Sequence, residues 1–140
     1  MAIERTLAII KPDGVAQKVS GEVIRRIEGN SFRILGLRMV HMSPAQAEGF
    51  YAVHRERPFF KSLTAFMSEG PVVVLALEGD NAIARWREMM GPTDSTKAPK
   101  GTLRGDYGAS IERNVVHGSD SAESASYELK YFFNALELCG

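Results

Sequence analysis

The chain has 140 residues, 44% of them apolar, and 17 basic against 17 acidic side chains give a formal net charge of zero. That length suits one domain spanning residues 1–140, and a chain of this size buries roughly two-thirds of its unfolded surface. Zero net charge excludes recruitment of a polyanion by the overall field, so any affinity for phosphate has to be local. The single cysteine, Cys139, can form no internal disulfide, which points to a reducing compartment. Glu4 and Arg5 interrupt the start of the chain, and no apolar run approaches the ~18 residues of a membrane span. A cytoplasmic protein is expected.

Taken in order, residues 5–10 form a short apolar run that Lys11-Pro12-Asp13-Gly14 breaks with turn chemistry, leaving Lys11 at a strand end. Val23, Ile24 and Ile27 follow helical spacing over residues 21–30, and Gly29-Asn30 is the stop. Residues 32–42 alternate through Leu35, Leu37 and Met39, predicting a half-buried strand, with His41 structural at its end. Ser43-Pro44-Ala45-Gln46 is a capping box that opens a helix in which Ala47, Phe50, Tyr51 and His54 share a face. Pro58 separates this from a second helical piece over residues 59–67. Of its two leading phenylalanines, one is free for a flat ligand.

The continuous apolar run 72–77 predicts a central strand covered on both faces. Asp80 is expected to cap the following helix, which carries Ile83, Trp86 and Met90 on one face and stops at Gly91-Pro92. Arg85 and Arg87 lie off that stripe. Residues 91–108 read as a long loop without periodicity, a feature usually tied to function. Val115 and Val116 then end a buried strand that delivers His117 into a turn, Asp120 or Ser121 can cap the next helix, and Ala122, Ala125, Leu129, Phe132 and Phe133 mark that helix to about Leu136. This order of elements predicts an α+β fold of the split βαβ, ferredoxin-like kind: a four-stranded antiparallel sheet with helices packed on it.

Residue patterns alone narrow the chemistry. No segment carries the Gly-Lys-Ser/Thr ending of a P-loop, and no dinucleotide-type glycine fingerprint follows the first strand. Asp106-Tyr107-Gly108 echoes a protein-kinase metal motif, but the chain lacks a catalytic-loop signature. A histidine nucleophile offers a different route, splitting transfer between two nucleotides into two half-reactions through a phosphohistidine. Such a histidine needs a partner for its ring, and Glu128 on the last helix can point toward it. A non-enzymatic RNA-binding module is the competing class, with Arg104-Gly105-Asp106-Tyr107-Gly108-Ala109 as its one weak echo.

Asn114-Val115-Val116-His117-Gly118-Ser119-Asp120 resembles, residue for residue, the active-site signature of the nucleoside diphosphate kinases. The likeness extends through Lys11-Pro12-Asp13-Gly14, Arg57-Pro58-Phe59-Phe60, Ser68-Glu69-Gly70-Pro71 and Gly101-Thr102-Leu103-Arg104-Gly105-Asp106-Tyr107. It implies the same ferredoxin-like fold and transfer of the γ-phosphoryl group, mainly from ATP, to nucleoside diphosphates by a ping-pong mechanism. It further implies His117 as the phosphorylated nucleophile, with Ser119 and Glu128 holding its ring. Lys11, Arg87 and Arg104 are then cations on the nucleotide phosphates, Lys11 also serving catalysis. Thr93 and Asn114 would add hydrogen bonds to phosphate and sugar, Phe59 would stack on the base, and the Tyr51 hydroxyl would lie beside the site. Read singly, the cations are solvated surface and Tyr51 and Phe59 are core; it is their convergence that favours the site. Magnesium is expected to arrive on the nucleotide, with Asp120 the plausible nearby carboxylate and no dedicated protein cage. The resemblance also implies a homo-oligomer, a tetramer or hexamer. One departure stands out: Asp94-Ser95 replaces the Asn-Pro common in the family, which bears on loop rigidity and subunit contact.

Overall fold

The computed structural model describes residues 2–140. Four antiparallel strands, β1 (Ile3–Ile10), β2 (Arg33–Val40), β3 (Val72–Asp80) and β4 (Val116–Gly118), form one sheet in the order β2-β3-β1-β4. This is the ferredoxin-like order expected from the sequence. Leu7 on β1 lies opposite Ala76 on β3, and Ile9 on β1 lies opposite His117 on β4. Helices cover both faces, so the two-residue period of the inner strands fills two separate cores.

Leu7, Ile9, Val72, Val74 and Ala76 face α3 (Pro44–Phe50), α4 (Phe60–Met67) and α7 (Ala122–Phe132), meeting Phe50, Phe66, Met67, Leu129 and Phe132. Ala8, Ile10, Val73, Leu75 and Leu77 face the other way, against Val23 and Ile27 of α2 (Ser20–Gly29) and Trp86 and Met90 of α5 (Ala82–Met90). Every residue of the 72–77 run is buried, as its unbroken hydrophobicity requires of a strand covered on both faces. The expected box at Ser43 is formed: its hydroxyl accepts from Gln46 N–H while the Gln46 side chain accepts from Ser43 N–H.

Several local expectations are corrected. Lys11-Pro12-Asp13-Gly14 does not end in a simple turn but opens a five-residue helix, α1 (Pro12–Ala16), because the fixed φ of Pro12 suits a first helical position as well as a turn. Asp80 does not cap α5; it is the last residue of β3 and its carboxylate accepts Ala2 N–H at 2.9 Å, while the left-handed Asn81 occupies the cap position. Strand β2 is half-buried only at its start. It lies at the sheet edge with a register shift between Ile34 and Gly36, and beyond that shift Leu37 and Met39 are 50% and 63% exposed. The last helix stops at Phe132, and a separate 3-10 turn, Ala135–Glu137, is capped by Asn134.

The 91–108 segment is also more ordered than its composition suggests. It holds a 3-10 turn, Ser95–Lys97, and a short helix, α6 (Leu103–Tyr107), each opened by a side-chain cap from Asp94 or Thr102. Arg26 ties it to α2 through Asp106 at 2.8 Å. Arg104 to Ala109 therefore presents no strand with paired aromatics, and the RNA-binding reading loses its single feature.

At the family departure, Asp94 has the extended backbone that a residue before proline prefers. Ser95 N–H reaches Ser110 O at only 3.5 Å, and Ser95 Oγ is buried without a partner among the described residues. Ser95→Pro is therefore expected to raise stability by about 0.4–1 kcal/mol with little change in activity. Thermal melts read this directly, and a lower midpoint would show that the turn rejects proline.

Candidate active site

A cavity of about 380 Å³ opens between the α3–α4 region on one side and α5 with the 91–114 segment on the other. Nine of the ten site residues expected from the sequence line it: Lys11, Tyr51, Phe59, Arg87, Thr93, Arg104, Asn114, His117 and Glu128. The tenth, Ser119, is wholly buried behind them.

His117 sits inside β4, not in the turn after it, and strand alternation separates its side chain from Val116, which joins the opposite core. Its ring meets Phe50 and Tyr51 edge-on at centroid distances of 5.4 and 6.0 Å. Its backbone is held as well, since the buried Trp86 indole donates to His117 O at 3.1 Å. Gly118 permits that contact: a Cβ there would lie 2.6 Å from Trp86 Cδ1.

His117 Nε2 lies 2.9 Å from Glu128 Oε1, and the Ser119 hydroxyl donates to the same oxygen at 2.8 Å. Ser119 Oγ in turn accepts Leu7 N–H from β1. Ser119 thus fixes the carboxylate and does not touch the ring. With Nε2–H donated to Glu128, the neutral imidazole keeps its lone pair on Nδ1, which has no protein partner among the described residues.

The cations divide into buried and free. Lys11 and Arg104 are each only 6% exposed. Lys11 Nζ donates to Asn114 Oδ1 at 2.7 Å, and burial, helped by the positive charge of Arg104, brings its pKa down to about 8. Arg104 donates to three backbone carbonyls, Asn114, Gly91 and Val116, and burial followed by the charge of Arg87 lowers its pKa to about 10. Arg87 is exposed, with one bond of 3.4 Å to Gly118 O. Asn114 commits both ends of its amide to protein, accepting from Lys11 and donating to the carbonyls of Thr93 and Ile111. These residues brace the cavity wall as well as charging it.

Phe59 is 46% exposed at the cavity while Phe60 packs toward the core, resolving the adjacent pair. His54 meets Phe59 edge-on at 5.5 Å and stacks near Tyr51 at 6.3 Å. The Tyr51 hydroxyl is buried with no partner among the described residues, and its pKa is raised by burial and by Glu128. Sequence patterns do not assign His54, Ile111 and Glu112 to the cavity lining, where the structure places them. For His54 a signal is present in its i+3 spacing from Tyr51; nothing local marks Ile111 or Glu112.

Asp120 lies at the rim, where the Ser124 hydroxyl donates to it at 2.7 Å and holds its carboxyl below the usual range. Among the described residues no three His, Cys, Asp or Glu side chains converge as a metal site. An ionised rim carboxylate suits a cation carried in by phosphates, whose oxygens and waters would complete its shell.

The model of the nucleoside diphosphate kinase family matches residues 4–138. The chain is 58% identical over 138 residues to a nucleoside diphosphate kinase of Desulfosudis oleivorans, covering 99% of both chains. It is 60% identical over 136 residues to one from Geotalea daltonii, covering 97% of this chain and 99% of that one. Among solved structures, the Aquifex aeolicus nucleoside diphosphate kinase superposes with a TM-score of 0.96 at 46% identity, covering 98% and 99% of the two chains. The Halobacterium salinarum enzyme in complex with CDP superposes with a TM-score of 0.93 at 36% identity, covering 98% and 91%. A signature histidine held on a short strand, a sheet in the ferredoxin-like order and matches across nearly the whole length agree: the chain belongs to the nucleoside diphosphate kinase family.

Proposed function

We propose that this phosphotransferase moves the γ-phosphoryl group of a nucleoside triphosphate, mainly ATP, to a nucleoside diphosphate through a phosphohistidine at Nδ1 of His117. The observation that carries this reading is the Ser119–Glu128–His117 chain at a cavity that also gathers Lys11, Arg87 and Arg104. Nδ1 attacks the γ-phosphorus as the bond to the bridging oxygen breaks, and the diphosphate leaves. Positive charge that develops on the ring is balanced by Glu128, and an incoming diphosphate reverses the step. Lys11, Arg87 and Arg104 neutralise phosphate charge, Tyr51 offers its unpaired hydroxyl, Thr93 and Asn114 hold phosphate and sugar, and Phe59 stacks on the base. Magnesium, bound mainly by phosphate oxygens and water with Asp120 beside it, supplies further charge neutralisation when present.

Residues 1–140 act as one domain, in the cytoplasm; no helix among the described residues is long and apolar enough to cross a membrane. The chain works as a homo-oligomer, tetramer or hexamer, a reading supported by the unpaired edge of β2 with exposed Leu37 and Met39.

Phosphates, common to all nucleotides, are met by charge, whereas the base is met by an apolar ring. Initial rates are therefore expected to follow a ping-pong pattern, and kcat/KM for ADP, GDP, CDP, UDP and dTDP should agree within about a thousandfold, some 4 kcal/mol. Intersecting double-reciprocal lines would reject the phosphoenzyme, and a wider spread would reject stacking as the base contact.

A further inference from the structure

Val115, two residues before His117, is β-branched yet has φ +73°, in the left-handed region that such side chains avoid. Val116 N–H donates to Asn114 O at 2.8 Å across it, so residues 114–116 form the strained, positive-φ type of γ-turn. The turn joins the two cavity residues on either side of it, Asn114 and His117, and Val115 itself is fully buried. Strain of this kind persists only where surrounding groups over-determine the backbone.

The groups that do so come largely from the start of α1. Asp13 Oδ2 accepts Val115 N–H at 3.0 Å, and Lys11 N–H donates to Val115 O at 2.7 Å. Gly14 lets the helix approach this closely: a Cβ there would lie 3.0 Å from Val115 Cγ1 and 3.2 Å from Val115 O. Asp13 itself lies outside the cavity, and its second oxygen, Oδ1, is buried without a partner among the described residues. Burying a carboxylate with one oxygen unpaired is unfavourable for a mere surface turn. What that burial secures is an acceptor for the N–H of the fully buried Val115.

Resting on the phosphohistidine reading above, we propose that Asp13 is a positioning residue for phosphoryl transfer, holding the strained Val115 turn that sets Asn114 against Lys11 and His117 against Glu128. Without that acceptor the buried Val115 N–H is unsatisfied and the 114–115 peptide is released to rotate. Rotation would carry Asn114 O away from Arg104 Nε and loosen the Asn114 side chain from Lys11 Nζ, a bond that spans the cavity wall.

The test measures the rate of phosphoenzyme formation from labelled ATP and magnesium, without acceptor, in the full-length chain. Asp13→Asn keeps an acceptor oxygen in place and should stay within about threefold of the unsubstituted rate, whereas Asp13→Ala and Asp13→Glu should lose at least about tenfold. Each is repeated with Val115→Gly, because glycine accepts positive φ without strain and no longer needs the clamp. In that background the losses should shrink below about threefold, a coupling that general destabilisation would not produce. Equal losses in both backgrounds overturn the proposal, as does an Asp13→Glu chain as fast as Asp13→Asn, which would mean that the placement of the acceptor oxygen does not matter. Should Asp13→Ala fail to fold, the Asn and Glu pair still separates the two outcomes. An unsubstituted chain that never takes up label refutes the phosphohistidine reading itself, an outcome visible before any variant is made.

Discussion

His117→Ala is expected to lower turnover by at least roughly a thousandfold, about 4 kcal/mol of transition-state stabilisation, and to abolish the acid-labile phosphoenzyme. In a ping-pong scheme every transferred phosphoryl group passes through the imidazole, so no surviving residue can share the load. Fold and nucleotide binding should persist. Ser119 still donates to Glu128 after the ring is gone, and the cations and Phe59 belong to other elements. Labelling with ATP and magnesium, followed by acid and base treatment, reads the outcome. Label retained in the variant would transfer the nucleophile to another residue, and unchanged turnover would remove His117 from the chemistry altogether.

Arg104→Ala is expected to damage both activity and stability, which separates it from a cation that merely binds phosphate. Its guanidinium donates to the carbonyls of Asn114, Gly91 and Val116, two of these bonds being buried. Removing it strands the Gly91 and Val116 carbonyls, whereas Asn114 O keeps its bond from Val116 N–H; at about 1–3 kcal/mol for each stranded acceptor where no water can enter, a total loss of roughly 2–5 kcal/mol is expected. Loss of a phosphate donor should lower kcat/KM by about a hundredfold or more. Arg104→Lys should recover little of either, because one ammonium cannot reach three diverging carbonyls. Denaturant unfolding alongside kcat/KM decides between the roles. An intact unfolding midpoint with reduced kcat/KM would assign Arg104 to phosphate alone.

The sequence by itself determined what depends on short spacing. The capping box at Ser43 is a matter of three residues, the buried course of β3 follows from an unbroken apolar run, and the stripe of Trp86 and Met90 follows from a 3.6-residue period. The resemblance around His117 supplied the candidate partners, yet their arrangement was decided only when the sheet formed. Lys11 reads as a strand-end lysine and becomes a buried donor to Asn114 because β1 and β4 are neighbours, bringing together residues 103 positions apart. Local patterns could not place Leu37 and Met39 either: the same alternation serves an edge strand or an inner one, and the order β2-β3-β1-β4 leaves them beyond helix cover. The left-handed Val115 is the clearest case. A β-branched residue has no local reason to adopt that backbone, and it does so because Asp13, Lys11 and Arg104 supply partners from elsewhere in the chain.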